Sequence, residues 1–150
     1  MNRDILSILV LNGPNLNLLG LREPELYGRQ TYADLEDYIR RSAMELGCAC
    51  EIYQSNHEGV LVDRIQAARG VYGGIVLNAA AYTHTSVAIL DALKAVEIPT
   101  VEVHLTDIRS REPFRQHSYV SLAAIATVVG KGFAGYREAM EILRNRLLIG

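Results

Sequence analysis

Apolar side chains fall along this chain in two alternating rhythms. Ile5-Leu-Ser-Ile-Leu-Val-Leu11 is a nearly continuous aliphatic run closed by Asn12-Gly13-Pro14, the pattern of a strand covered on both faces. Beyond it, Leu35, Tyr38, Ile39, Ser42 and Leu46 recur at the helical period between Thr31, a capping type, and Gly47, a C-terminal stop. A short second strand over Ala49 to Tyr53 precedes a second helix on Val60, Leu61, Ile65 and Ala68, which stops near Gly70. Gly74 to Leu77 predicts the third strand. Thr85 to Val96 predicts the third helix, with Val87, Leu90, Leu93 and Val96 apolar, and Pro99 to His104 the fourth strand. Ala123 to Val129 is the fifth, followed by an amphipathic helix from Gly135 to Leu148 with Met140, Leu143 and Leu147 inward. Such alternation predicts an open parallel α/β sheet with helices on both faces, and five strands favour the order 2-1-3-4-5. With no repeat, low-complexity tract or linker, the 150 residues read as one domain over 1–150.

Composition narrows the class. Hydrophobic residues make up 49% and charged residues 21%, close to soluble globular averages. A net charge of −2 and a pI near 6.1 provide no general basic field for nucleic acid or an anionic membrane. An anionic ligand must therefore meet locally placed cations, and these are thirteen Arg against two Lys, Lys94 and Lys131. Arg offers a planar fork suited to carboxylates. The apolar runs fall short of the ~20 residues that span a bilayer. The first leads into Asn-Gly-Pro-Asn, not a small-residue cleavage site, which favours a buried strand over a signal-peptide core. Cys48 and Cys50, two apart, are expected to be small core residues, and their use suits a reducing cytoplasm.

In sheets of this kind ligands bind beyond the carboxyl ends of the strands, where the chain order reverses. Unusual chemistry gathers at those points. Nineteen residues, Asn12 to Gln30, follow the first strand and carry Arg22, Glu23 and Tyr27. Gln54-Ser-Asn-His-Glu58 follows the second, Asn78 and then Tyr82-Thr-His-Thr-Ser86 the third, and Arg109, Arg111, Arg115, His117 and Ser118 lie beyond the fourth. Each has a structural reading beside the functional one. The long loop can be a lid held by Asn caps with Tyr27 a surface phenol, and Glu58 can simply complement a helix dipole. Thr83 to Ser86 can cap a helix, although the same N–H groups suit hydroxyls or anions.

Glu102-Val103-His104 is the sharpest local signal. Residues two apart on a strand share a face, so the carboxylate can support the imidazole at the sheet edge and keep a proton on it for donation. A structural ion pair is the alternative. Several familiar mechanisms find no motif: there is no Gly-Lys-Ser/Thr phosphate loop, Gly-x-Gly-x-x-Gly, Gly-x-Ser-x-Gly, His-Glu-x-x-His or Cys-x-x-Cys. Lys94 falls on a helix and Lys131 in a Gly-rich turn, poor positions for a Schiff base. A phospho-receiver of the same architecture needs acids after the first strand, where Asn12 and Asn15 stand; a flavin carrier is the other non-catalytic alternative on such a sheet.

Taken together, Asn12-Gly-Pro-Asn-Leu-Asn-Leu-Leu-Gly20, Arg22-Glu-Pro with Tyr27-Gly28, Gln54-Ser-Asn-His-Glu-Gly59, Tyr82-Thr-His-Thr-Ser86, Glu102-Val-His104 and Arg111-Glu-Pro-Phe-Arg-Gln-His-Ser118 resemble the type II 3-dehydroquinate dehydratases. The resemblance covers nearly the whole chain in order. It implies a flavodoxin-like three-layer sandwich that converts 3-dehydroquinate to 3-dehydroshikimate without metal or organic cofactor, by anti elimination through an enolate. It casts Tyr27 as the base, Arg22 as the cation that keeps the phenol ionised, and Asn15 as holder of a water at the enolate oxygen. It makes His104, oriented by Glu102, the acid that protonates the departing hydroxyl. Asn78, His84 and Arg115 match groups that hold the ring hydroxyls, with Ala81 beside them, and the backbone N–H groups of Leu105 and Thr106 match those that receive the carboxylate. Arg111 matches an arginine near the lid. Asp91 matches an acid that reaches a neighbouring subunit's site, within trimers that build dodecamers. The chain departs from the family pattern at Ala79 and Ala80, where Pro and Gly are usual. Ala at the Gly position crowds the substrate or demands an unusual backbone angle.

Overall fold

The computed structural model describes residues 5–21, 25 and 29–149, the side chains of 148 and 149 excepted. Five parallel strands, β1 (Ser7–Asn12), β2 (Ala49–Gln54), β3 (Gly74–Asn78), β4 (Thr100–His104) and β5 (Ala126–Val129), line up in the order β2-β1-β3-β4-β5. Helices α1 (Tyr32–Leu46), α2 (Glu58–Ala67), α3 (Val87–Val96) and α4 (Ala134–Ile149) connect or follow them. This is the predicted flavodoxin-like three-layer arrangement. Strand alternation explains the layers: Ile8 and Val10 of β1 pack with the face covered by α1 and α4, while Leu9 and Leu11 point into the face covered by α2 and α3.

Local chemistry sets the helix ends. Thr31 Oγ1 accepts from the Asp34 backbone N–H at 3.1 Å and the Asp34 carboxylate accepts from the Thr31 N–H at 2.9 Å, a reciprocal capping box. Gly47 closes the same helix in a left-handed conformation, φ 73°. Ser86, rather than Thr85, caps α3, its Oγ accepting from the Ile89 N–H at 2.9 Å.

The main differences from expectation lie at element ends. Ile5 is exposed and precedes β1, and the fifth strand is shorter than Ala123 to Val129 because Val120–Leu122 forms a 3-10 turn. Val60 and Val87, in the first turns of α2 and α3, face outward. Leu147 is 52% exposed although Met140 and Leu143 are buried, because the last turn of α4 borders an open apolar groove with Leu6, Gly73 and Pro99. Cys48 and Cys50 are free thiols packed into the α1/α4 core, and burial pushes both thiol pKa values up. Among the described residues no helix is long and apolar enough to cross a membrane.

The register brings the functional loops together. Asn12 lies level with Gln54 on one side and Asn78 on the other, so β1, β2 and β3 end at one edge. The turn after β1 then presses against the turn after β3. A Cβ on Gly13 would sit 2.4 Å from the Ala79 carbonyl oxygen, which accounts for the glycine there, and the Gly13 N–H donates to the Asn78 carbonyl at 2.8 Å.

Candidate active site

Glu102 and His104 project from the same face of β4 as the spacing predicts, and both are buried, at 0% and 5% exposure. The His104 Nε2 to Glu102 Oε2 distance is 2.5 Å. The carboxylate is enclosed by hydroxyls: Thr83 at 3.0 Å and Ser118 at 2.6 Å on Oε2, Ser121 at 2.5 Å and Thr127 at 3.1 Å on Oε1. Thr83 and Ser118 are also 2.6 Å from each other. Each hydroxyl owns one hydrogen, so one of the two donates to Glu102 and the other donates to its neighbour. Burial drives the Glu102 pKa up, but the hydrogen bond and charge of His104 and the serine donors outweigh it and hold the carboxyl well below its usual range, at about 2. An ionised carboxylate accepts, so Nε2 carries the hydrogen and Nδ1 is left to serve the pocket that His104 lines.

That pocket opens between the loops after β1, β3 and β4. Its wall contains Asn15, Asn78, Ala80, Ala81, His84, His104, Leu105, Thr106, Arg111 and Arg115, with Pro14, Leu16 and Ile108 as an apolar part that the sequence did not single out. His84 Nδ1 is 2.7 Å from the His117 carbonyl oxygen, which only accepts, so this nitrogen bears the hydrogen. Burial lowers the His84 pKa, and the charges of His104 and Arg115 push it the same way. The ring is therefore neutral near pH 7 and its Nε2 is an acceptor for a ligand hydroxyl. Arg115 Nε lies 3.1 Å from Glu112, which also lies 3.5 Å from Arg111 Nε. One acid thus spaces two pocket cations.

Asn78 ends β3 with its Oδ1 accepting from the Ala80 N–H at 3.1 Å. Ala80 adopts φ 52°, the left-handed region, which gives the departure from the family pattern its physical form: the turn keeps a conformation that favours glycine. Relief of left-handed strain is worth ~1–2 kcal/mol, against ~0.5–1 kcal/mol for glycine's greater freedom in the unfolded chain. Ala80→Gly should therefore raise thermal stability slightly, by up to about 1.5 kcal/mol; a lower melting temperature would contradict this.

Asn15 also has positive φ, 70°, and its N–H donates to Asn56 Oδ1 at 3.0 Å. His57 occupies the N-cap position of α2 but makes no side-chain capping bond, and it is not part of the pocket wall. Asp91 is exposed on α3 and does not line the pocket of its own chain. Arg22 and Tyr27 lie outside the described residues. Ser121 and Thr127, which complete the cage around Glu102, gave no sequence signal, since single hydroxyl residues in that stretch have no diagnostic spacing. Thr83 lies in the segment expected to cap a helix, and Ser118 in a stretch that carries the family resemblance; neither pattern points to a bond with Glu102.

The family model for dehydroquinase class II matches residues 6–144. A catabolic 3-dehydroquinase of Aspergillus oryzae is 58% identical over 135 residues, covering 90% of this chain and 88% of that protein. A 3-dehydroquinate dehydratase of Corynebacterium glutamicum is 53% identical over 139 residues, covering 93% and 96%. The crystal structure of a type II dehydroquinase from Butyrivibrio crossotus superposes with a TM-score of 0.91 at 43% identity, covering 93% of this chain and 97% of that one. With the whole fold and nearly the whole length matched, the chain belongs to the class II dehydroquinase family.

Proposed function

We propose that this hydro-lyase dehydrates 3-dehydroquinate by anti elimination through an enolate, with Tyr27 as base and His104 as acid. The observation that carries the acid assignment is the buried, ionised Glu102 holding His104 Nε2 while the ring lines a pocket beside two arginines. The C2–H bond breaks and its proton passes to the Tyr27 phenolate, which Arg22 keeps ionised. The electron pair moves onto the ketone oxygen, where a water held by Asn15 meets the negative charge. That pair then returns to form the C1=C2 bond as the C1–O bond breaks. His104 gives its proton to the departing oxygen, and water leaves. Transfer of a proton from Tyr27 back to His104 resets the pair.

The remaining assignments concern binding. Backbone N–H groups of Leu105 and Thr106 receive the carboxylate, and Asn78, His84 and Arg115 hold ring hydroxyls, with Ala81 at the same wall. The neutral His84 offers an acceptor and the arginine a donor, so the pocket distinguishes hydroxyls by the direction of their hydrogen bonds. Arg111 lines the same pocket, and the family resemblance gives it the part of an arginine near the lid. The reaction is the same whether it serves biosynthesis or breakdown of quinate, and both kinds of name occur among the relatives.

The test is growth of conjugated-enone absorbance when purified protein meets 3-dehydroquinate, with the rate unchanged by EDTA and no inactivation by borohydride plus substrate. Reductive labelling of Lys94 or Lys131 would contradict the enolate route, and absence of the enone would refute the substrate.

Assembly enters through Asp91. In this reading its carboxylate reaches the pocket of an adjacent subunit, within trimers that assemble to a dodecamer in the cytoplasm. Its exposure on α3, off its own pocket, supports a role across an interface. Light scattering should return a mass of many chains; a fully active monomer at micromolar concentration would contradict the assignment.

A further inference from the structure

Asn12 and Asn78, the last residues of adjacent strands, are buried side by side in register. Between them lies the phenol of Tyr136, from the first turn of α4 and itself fully buried. Its O–H donates to Asn12 Oδ1 at 2.7 Å, and its oxygen accepts from Asn78 Nδ2 at 3.0 Å. Asn12 Nδ2 donates in turn to the Tyr32 hydroxyl at 3.2 Å. Each of these bonds has one direction, because a carboxamide oxygen only accepts, its nitrogen only donates, and a phenol owns one hydrogen.

The directions fix Asn78. The Tyr136 hydrogen is committed to Asn12, so the phenol can offer Asn78 only an acceptor. Rotating the Asn78 carboxamide by half a turn would bring its oxygen against a phenol oxygen with no hydrogen left. It would also bring its nitrogen against the Ala80 N–H that now donates to Oδ1. Two hydrogen bonds, one buried and one partly buried, would become two repulsive contacts. In the observed orientation one Asn78 N–H is left over, and Asn78 lines the pocket. Burial raises the Tyr136 pKa above that of an ordinary phenol, so the hydrogen stays in place near neutral pH.

We infer that Tyr136 is a positioning residue: through its buried phenol it locks Asn78 to present a hydrogen-bond donor to the substrate, so that the substrate oxygen at this wall must accept. Tyr136 does not line the pocket and acts through Asn78. The inference rests on the proposed contact between Asn78 and a substrate hydroxyl. It adds a reason why a helix at the far end of the chain bears on substrate choice.

The experiment is a double-mutant cycle on kcat and KM for 3-dehydroquinate. Tyr136→Phe removes one oxygen, and kcat/KM should fall about tenfold, chiefly through KM, as expected for loss of one oriented hydrogen bond. In an Asn78→Ala background the same substitution should change kcat/KM by less than about twofold. Met140→Ala, also in the buried stripe of α4, should lower the melting temperature without moving KM. Asn12→Ala, which releases the phenol hydrogen to meet a rotated Asn78, should raise KM as Tyr136→Phe does, and it decides the matter if Tyr136→Phe does not fold. An unchanged KM in Tyr136→Phe and Asn12→Ala, or an undiminished Tyr136→Phe effect without Asn78, overturns the inference. A crystal structure of Tyr136→Phe should show the Asn78 carboxamide turned from its present plane, since the Ala80 N–H alone then holds it, and an Asn78 that superposes on the unmutated one overturns the inference whatever the turnover. Failure of the unmutated protein to act on 3-dehydroquinate would instead count against the substrate reading.

Discussion

His104→Ala should lower kcat by ~10²–10⁴-fold, the range for losing a positioned general acid, with a smaller change in KM. The departing hydroxyl is a poor leaving group unless it is protonated, and His104 is the pocket imidazole whose other nitrogen is anchored on an ionised carboxylate. The substitution also leaves Glu102 buried with its hydroxyl donors but without its imidazole partner. A loss of stability should accompany the loss of rate, because a buried carboxylate missing its strongest donor is costly. Thermal unfolding separates the two effects. A folded variant with near-normal kcat would show that another group protonates the leaving oxygen.

Tyr27→Phe should reduce kcat by ~10²-fold or more while substrate Kd changes little, since only the hydroxyl is removed. An ordinary phenol ionises near pH 10, so a phenolate base near neutrality needs ~4 kcal/mol of stabilisation, more than one exposed ion pair supplies. For Tyr27 to serve as the proposed base, Arg22 must therefore act in a site from which water is excluded. Arg22→Ala should then lose rate mainly in kcat, because its charge matters to the phenolate and the developing enolate. Stopped-flow binding beside steady-state turnover distinguishes these outcomes. Normal turnover by the Phe variant would remove the catalytic assignment of the first loop.

Much of this architecture was legible in the residues. Aliphatic runs such as Ile8 to Leu11 report burial on both faces directly, and βα alternation leaves few chain orders for five strands. Glu102 and His104 were legible because strand geometry makes a two-residue spacing a statement about contact. Helix ends were harder. Leu147 continues an apolar stripe but overruns the surface that would cover it, and periodicity carries no information about where the partner stops. The hydroxyl cage and the Asn12–Tyr136–Asn78 chain are assembled from residues up to 124 positions apart. Their bonds depend on register and on the packing of α4, which no local pattern encodes. The strained turn shows a middle case: Ala80 stands out as unusual against the family pattern, and the structure supplies its φ of 52°.

In the proposed mechanism proton removal and hydroxyl departure belong to two different groups acting in sequence through an enolate. The most direct test is hydrogen exchange at C2 of 3-dehydroquinate in heavy water, catalysed by the His104→Ala protein and followed by mass spectrometry together with enone absorbance. This variant, with Tyr27 and Arg22 intact, should incorporate deuterium at C2 while forming almost no enone. Enone formation at the unmutated rate, or loss of C2 exchange together with loss of product while substrate still binds, would contradict that mechanism.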